Sequence, residues 1–135
     1  MLKSETRTCV AVGVLGFFLI CLSAVGAVAQ SPSPLLGDWR AVDGSATARV
    51  APCRGGEGLC ATVIQERFVP DEPSVLGRVI VRNLVPGRNG WTGMYVDGGQ
   101  RLNARVKLLN DRTLELRVCV NAFLCDTGLY ARVRP

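Results

Sequence analysis

Apolar and polar residues alternate one by one through most of this chain, and no long stretch repeats at 3.6 residues. In RLNARVKL, Leu102, Ala104, Val106 and Leu108 share one face while Arg101, Asn103, Arg105 and Lys107 share the other. TLELRVCV repeats the pattern with Leu114, Leu116, Val118 and Val120, and GLYARVR with Leu129, Ala131 and Val133. Successive side chains of a strand point to opposite faces, so each such run reads as a half-buried strand.

Turn signals cut these runs at short intervals. Asp43-Gly44, Asp97 to Gly99, Asn110-Asp111 and Pro86 to Gly90 are all hairpin punctuation. The expected strands are 37–42, 45–52, 59–66, 78–85, 91–96, 100–109, 113–120 and 127–134. Only the connection from Arg67 to Gly77, with its two prolines, is long, and it reads as an extended surface loop. Eight short antiparallel strands joined by tight turns predict an all-β, up-and-down barrel, because closure removes the edges that an open sheet must protect. A two-sheet sandwich is the alternative.

The first 29 residues are expected to lie outside this domain. Lys3 and Arg7 precede the apolar run VAVGVLGFFLICL, and Ala27 to Ala29 place small residues before Gln30, which is the pattern of a cleaved secretory signal peptide. An uncleaved membrane anchor is the competing reading, since Val10 to Ala29 is nearly long enough to span a bilayer. Ile20 before Cys21 argues against a lipoprotein. Cleavage leaves residues 30–135 as one domain, periplasmic or secreted and without a stable membrane span. This domain carries 14 Lys and Arg against 10 Asp and Glu, a net of +4, and 13 of the 14 cations are Arg. They are scattered singly along the strands and form no block, which points to a solvated face and to no nucleic-acid partner.

Four cysteines remain after cleavage: Cys53 and Cys60 in CRGGEGLC, and Cys119 and Cys125 in CVNAFLC. An even count in a short exported chain predicts two disulfides. Zinc is the rival reading, but structural zinc pairs sit two to four residues apart and the chain contains no histidine. In a meander the two cysteine loops are separated by an odd number of strands and so lie at opposite ends. A seven-residue strand spans about 23 Å, whereas bridged cysteines need Cα atoms about 4.4–6.8 Å apart. Local pairs, Cys53 with Cys60 and Cys119 with Cys125, are therefore expected. A redox role would call for closer spacing and a helix terminus that lowers a thiol pKa, and neither is suggested.

The ordered motifs LLGDWRAVDGSATARVAPCRGGEGLCATV, Trp91-x-Gly93-x-Tyr95, DGGQRLNARVKL and TLELRVCVNAFLCDTGLYARV resemble the exported bacterial family called domain of unknown function 2147. The resemblance covers nearly the whole of residues 30–135. It implies a small secreted or periplasmic β-barrel of lipocalin-like or streptavidin-like shape and no established activity. The chain departs from the family pattern at Val118, where the family has Gly, and at Leu129 to Val133, where the family carries a Trp. Its loop from Arg67 to Gly77 is shorter than the family's acidic, Asn-rich segment. Gly37-Asp38-Trp39 with Arg132 also resembles the Gly-x-Trp and terminal Arg pair of lipocalin-like barrels. That resemblance implies a structural pair, Trp39 and Arg132, in which the guanidinium covers the indole at a closed end.

Little in the chain looks catalytic. With no histidine, the usual general base and the usual partner of a Ser or Cys nucleophile are missing. Paired carboxylates could still act on a glycoside; the candidates are Asp38, Asp43, Glu66, Asp71, Glu72, Asp97 and Asp126. Turn chemistry accounts for Asp43 and Asp97, and no spacing gathers enough carboxylates for an oxygen-ligated metal. The expectation is a noncatalytic protein without metal or cofactor. An eight-stranded barrel is just wide enough to be filled or to hold one small ligand. Ala46, Ala48 and Val50 on the second strand and Ala104 and Val106 on the sixth are small inward residues. They leave room for a pocket lined by Trp91, Tyr95, Ala104 and Val106, with Met94 facing away. The function that follows is a monomeric binding protein for a small apolar or amphipathic ligand in the barrel or at its mouth. The alternative is a cell-envelope interaction module with a filled core. Its loops, with Phe68, Val69, Phe123 and Leu124, would contact an envelope protein or an anionic surface.

Overall fold

A computed structural model describes Gly26 and residues 31–134. The expected signal peptide, with Cys9 and Cys21, lies outside the described residues apart from Gly26. Eight strands follow in chain order: β1 (Gly37–Ala41), β2 (Ala46–Pro52), β3 (Leu59–Glu66), β4 (Val79–Gly87), β5 (Gly90–Asp97), β6 (Gln100–Leu108), β7 (Thr113–Cys119) and β8 (Cys125–Arg132). Each pairs antiparallel with the next, and β8 closes on β1, so the sheet is a closed eight-stranded up-and-down barrel. No helix among the described residues is long and apolar enough to cross a membrane.

Six strands lie within one residue of their expected limits. The last one differs in phase as well as in extent. Tyr130 pairs with Leu114, Gly128 with Leu116 and Asp126 with Val118. Since Leu114 and Leu116 are core residues, the inward row of β8 is Asp126, Gly128, Tyr130 and Arg132. Leu129, Ala131 and Val133, the expected apolar face, point outward; Leu129 is exposed. Two large side chains, Tyr130 and Arg132, take the interior positions, and the alternation of small apolar residues was misleading. The strand also starts two residues early, because the ladder runs up to the Cys119–Cys125 pair.

The barrel is not a regular cylinder. Three steps along β4, from Arg82 to Val85, face two steps along β5, from Met94 to Thr92. The extra residue is Asn83, held at φ 54°. Such a bulge bends and twists its strand, which helps a small sheet to close. It also presses on β5: a Cβ at Gly93 would lie 2.6 Å from the Arg82 carbonyl oxygen. Only glycine fits at that position, which gives the glycine of the Trp91-x-Gly93-x-Tyr95 motif a packing reason.

The core is a single cluster formed by the inward rows. Leu35, fully buried just before β1, and Trp39, 1% exposed, supply its bulk, and Ala48, Ala61 and Ala104 supply the space. Ala48 stands opposite Trp39 in the ladder, so the small residue of one strand makes room for the large one of its neighbour. Burying side chains of this size is worth about 1.5–3 kcal/mol each.

Both expected disulfides are present. Cys53–Cys60 closes the β2–β3 loop, with Cα atoms 4.9 Å apart, and Cys119–Cys125 closes the β7–β8 loop. Two structural disulfides suit an oxidising environment.

Candidate functional site

The β2–β3, β4–β5 and β6–β7 turns and the segment before β1 lie at one end of the barrel; the β1–β2, β3–β4, β5–β6 and β7–β8 loops lie at the other. The first end is closed by its own side chains. The Trp39 indole donates Nε1–H to the Leu35 carbonyl at 2.9 Å, which holds Leu35 in the opening. Arg132, opposite Trp39 in the ladder, places its guanidinium 4.2 Å above the indole. The same guanidinium donates from Nε to the Asp111 carbonyl, from Nη1 to Leu36 and from Nη2 to Pro34. One cation thus ties β1, the approaching chain and the β6–β7 turn together. Gly37, at φ 126°, leaves room for this: a Cβ there would meet Arg132 Nη1 at 3.2 Å. The pair expected from the sequence, Trp39 with Arg132, is in contact.

The second end is open on one side. β1 stops beside Tyr130, but β8 begins five residues earlier at Cys125, so the β7–β8 hairpin stands about 16 Å above that rim at roughly 3.3 Å per residue. Its inner face, with the ends of β5 and β6, forms a concave mouth of about 550 Å³. Leu102, Leu116, Val118 and Leu124 give the mouth apolar walls, Tyr95 and Tyr130 give it two phenols, and Asp97 and Asp126 lie on opposing strands near the top. Gly128 contributes no side chain, and the Tyr130 ring lies against it, 3.3 Å from where a Cβ would stand. Tyr130 is the floor: it also borders the interior cavity below, which measures about 40 Å³. Ligand pockets commonly occupy about 300–1,000 Å³, so the mouth reaches that range and the interior does not.

The electrostatics of the mouth set it apart from the rest of the surface. Desolvation by burial pushes the Tyr95 phenol above its ordinary value, and the nearby Asp97 carboxylate adds to this. Burial likewise raises Tyr130, with smaller contributions from Tyr95 and Asp43. Both phenols are therefore neutral at pH 7. Asp97 shares the inward phase of Tyr95, and Asp126 that of Tyr130. In contrast, the strand cations Arg40, Arg49, Arg82, Arg101, Arg105 and Arg117 occupy outward positions of the ladder. The salt bridge seen among the described residues, Arg49–Asp38 at 2.8 Å, is on the outer surface, where Arg49 holds the Asp38 carboxyl below its usual range.

The four expected pocket residues all face inward, as the ladder pairs Trp91↔Val106, Gly93↔Ala104 and Tyr95↔Leu102 require. They do not surround one cavity. Tyr95 lines the mouth, Val106 borders the small interior cavity, Ala104 is buried in the core, and Trp91 lies toward the closed end beside Pro86 and Lys107. About four residues of strand, roughly 13 Å, separate Trp91 from Tyr95. Sequence reasoning passed over Asp126 and Tyr130 as pocket residues, although counting back by twos from Arg132 reaches both. Asp97 was read as turn chemistry, yet it lies two residues beyond Tyr95.

Two further candidate carboxylates are engaged locally. Asp43 accepts the Ser45 amide at 2.9 Å. Glu66 accepts the Ser74 hydroxyl and the Val75 amide. Among the described residues no three Asp, Glu or Cys side chains gather into a metal-holding group. Comparison with known proteins finds no matching family model, no matching curated protein and no matching solved structure. Function is therefore inferred from the mouth itself.

Proposed function

We propose that this chain is an exported, monomeric, noncatalytic binding protein of the periplasm or cell exterior that takes a small amphipathic ligand at the mouth of its barrel. The observation that carries the reading is the division at Tyr130: a space of about 550 Å³ above it and about 40 Å³ below. The ligand sits between the β7–β8 hairpin and the ends of β5 and β6, with its apolar part on Leu102, Leu116 and Val118. Its polar part lies toward the carboxylates and solvent. The resemblance to the exported family called domain of unknown function 2147 is consistent with this reading and assigns no competing activity.

The experiment is native mass spectrometry of the mature protein taken under nondenaturing conditions from the envelope of its own host. The expected result is a mass above that of the disulfide-bonded chain, lost on denaturation. A bare monomer in repeated preparations overturns a retained ligand and favours the second reading, contact through the loops. That second reading rests on Phe68, 84% exposed, and Phe123, 93% exposed, which both lie in loops at the mouth end. Apolar side chains so exposed in a small domain are suited to a protein or membrane contact.

A further inference from the structure

We propose that the mouth selects amphipathic cations, an apolar body bearing an amine, and rejects the corresponding anions. This rests on the mouth being the ligand site. Charge segregation is the ground for it. The domain is Arg-rich with a net charge of +4, but no Arg or Lys lines the mouth, whereas Asp97 and Asp126 do. Period-two alternation causes the segregation: apart from Arg132 at the closed end, the strand cations occupy outward positions, and at the mouth the inward rows of β5 and β8 end in carboxylates. Neither Asp97 nor Asp126 has a salt-bridge or hydrogen-bond partner among the described residues, unlike Asp38, Asp43 and Glu66. Their negative charge is therefore available to a ligand. Below them lie two uncharged phenols that can accept a hydrogen bond from an ammonium or offer it a ring face. The apolar walls between the carboxylates and the Tyr130 floor suit the ligand's body and exclude part of the water that would otherwise screen the charges.

The same segregation makes the proposal easy to defeat. Long-range attraction to a protein of net charge +4 favours anions, so a preference for cations must come from the local carboxylates. The test uses three probes with one ten-carbon tail, decylammonium, 1-decanol and decanoate, each below the concentration at which it aggregates. Binding to the mature, oxidised protein is followed through the backbone amide resonances of Gly128 and Val118, which report on the mouth directly. Decylammonium is expected to bind about tenfold tighter than decanol, as suits two partly exposed carboxylates, and decanoate more weakly than either. Raising the salt from 20 to 300 mM narrows the gap. In the double variant Asp97→Asn, Asp126→Asn the ammonium and the alcohol should bind within about twofold of each other. Unchanged dispersion of the amide spectrum checks that the variant is folded. Equal binding of decylammonium and decanol to the unaltered protein overturns charge selection while leaving the mouth as a ligand site. A preference for decanoate, or an ammonium preference that survives the double substitution, also overturns the proposal. Failure of all three probes to shift the mouth resonances overturns the underlying reading instead.

Discussion

The two ends of this barrel are built from the same alternating strands and finished in opposite ways. At the closed end, interior side chains satisfy one another: the indole of Trp39 bonds Leu35, and Arg132 covers the indole and donates to three carbonyls from two segments. At the mouth, the inward rows end in tyrosines and carboxylates that neither cross the opening nor bond to each other. The comparison teaches that the strands determine the barrel, while a few residues at each end determine whether it is a plug or a receptor. Ala48 borders no more than the interior cavity of about 40 Å³, because Trp39 and Leu35 fill most of the space.

Replacing one aromatic residue at each end probes the comparison with its largest effect. Trp39→Ala removes a buried indole and leaves Arg132 and Leu35 without their partner, so a loss of about 3–5 kcal/mol is expected. That should lower the melting temperature by at least about 12 °C in a domain of this size. Phe123→Ala, at an almost fully exposed position, should stay within about 0.5 kcal/mol. Thermal unfolding followed by far-ultraviolet circular dichroism measures both. Equal losses would mean that the mouth loops are as structural as the plug.

The disulfides sharpen the comparison, because they match in length and differ in place. Their cysteines are 7 and 6 residues apart in the chain, so loop entropy assigns each about 2.4 kcal/mol. Cys53→Ser with Cys60→Ser, and Cys119→Ser with Cys125→Ser, should therefore lower stability by similar amounts. Their effect on the mouth should differ. The β7–β8 hairpin stands above the β1 rim, and its tip forms one wall of the mouth, so loss of the second disulfide should weaken decylammonium binding several-fold. Loss of the first should leave binding unchanged, since it lies at the closed end, where the Cys53 amide also bonds the Gly58 carbonyl. Calorimetric titration of the two double variants decides; equal loss of affinity would deny the hairpin its part in the site.

The barrel, the strand order and the two disulfides were legible in the sequence because each depends on local period or spacing, whereas the Trp39–Arg132 pair followed only from the resemblance to lipocalin-like barrels. Leu102 through Leu108 alternate without interruption, and Cys53 and Cys60 bracket a glycine-rich turn. The mouth was less legible for two physical reasons. The first is phase: Leu129, Ala131 and Val133 form an apolar row facing outward, and choosing them as the inner face hid Tyr130 and Asp126. A large aromatic and a long cation can satisfy the interior better than three smaller residues, and hydrophobicity alone does not register that. The second is overhang. How far the β7–β8 hairpin rises above β1 depends on the register between the first and last strands, a contact between residues about ninety positions apart on which local pattern is silent. Asn83 is a similar case: its bulge is set by ladders on both sides and leaves no mark except the glycine at 93.

Acid should separate the ends by the smallest but most selective effect. The long β3–β4 loop on the mouth side is pinned by Glu66, whose carboxylate accepts the Ser74 hydroxyl and the Val75 amide. The Ser74 bond first, then the Val75 bond and the nearby Arg78, hold its pKa below the ordinary value of 4.5. A carboxyl depressed in the folded state gives its full stabilisation above the unfolded value and loses it as pH falls through the folded value. The loop should therefore be closed at pH 5 and above and loosen below about pH 4, the ordinary carboxylate range. At the closed end the acceptors are carbonyls and the donor is the Arg132 guanidinium. Asp38 titrates nearby, but its exposed pair with Arg49 joins two strands already bonded along their ladder. Hydrogen exchange, corrected for the intrinsic pH dependence of the amide rate, should show protection at Gly77 and Arg78 falling between pH 5 and pH 3. The Val133 amide, bonded to the Asp38 carbonyl, should stay protected. Glu66→Gln should make the loop insensitive to pH over that interval. If protection fell together at both ends, acid would be acting on the barrel as a whole, and the division between a sealed end and a responsive one would not hold.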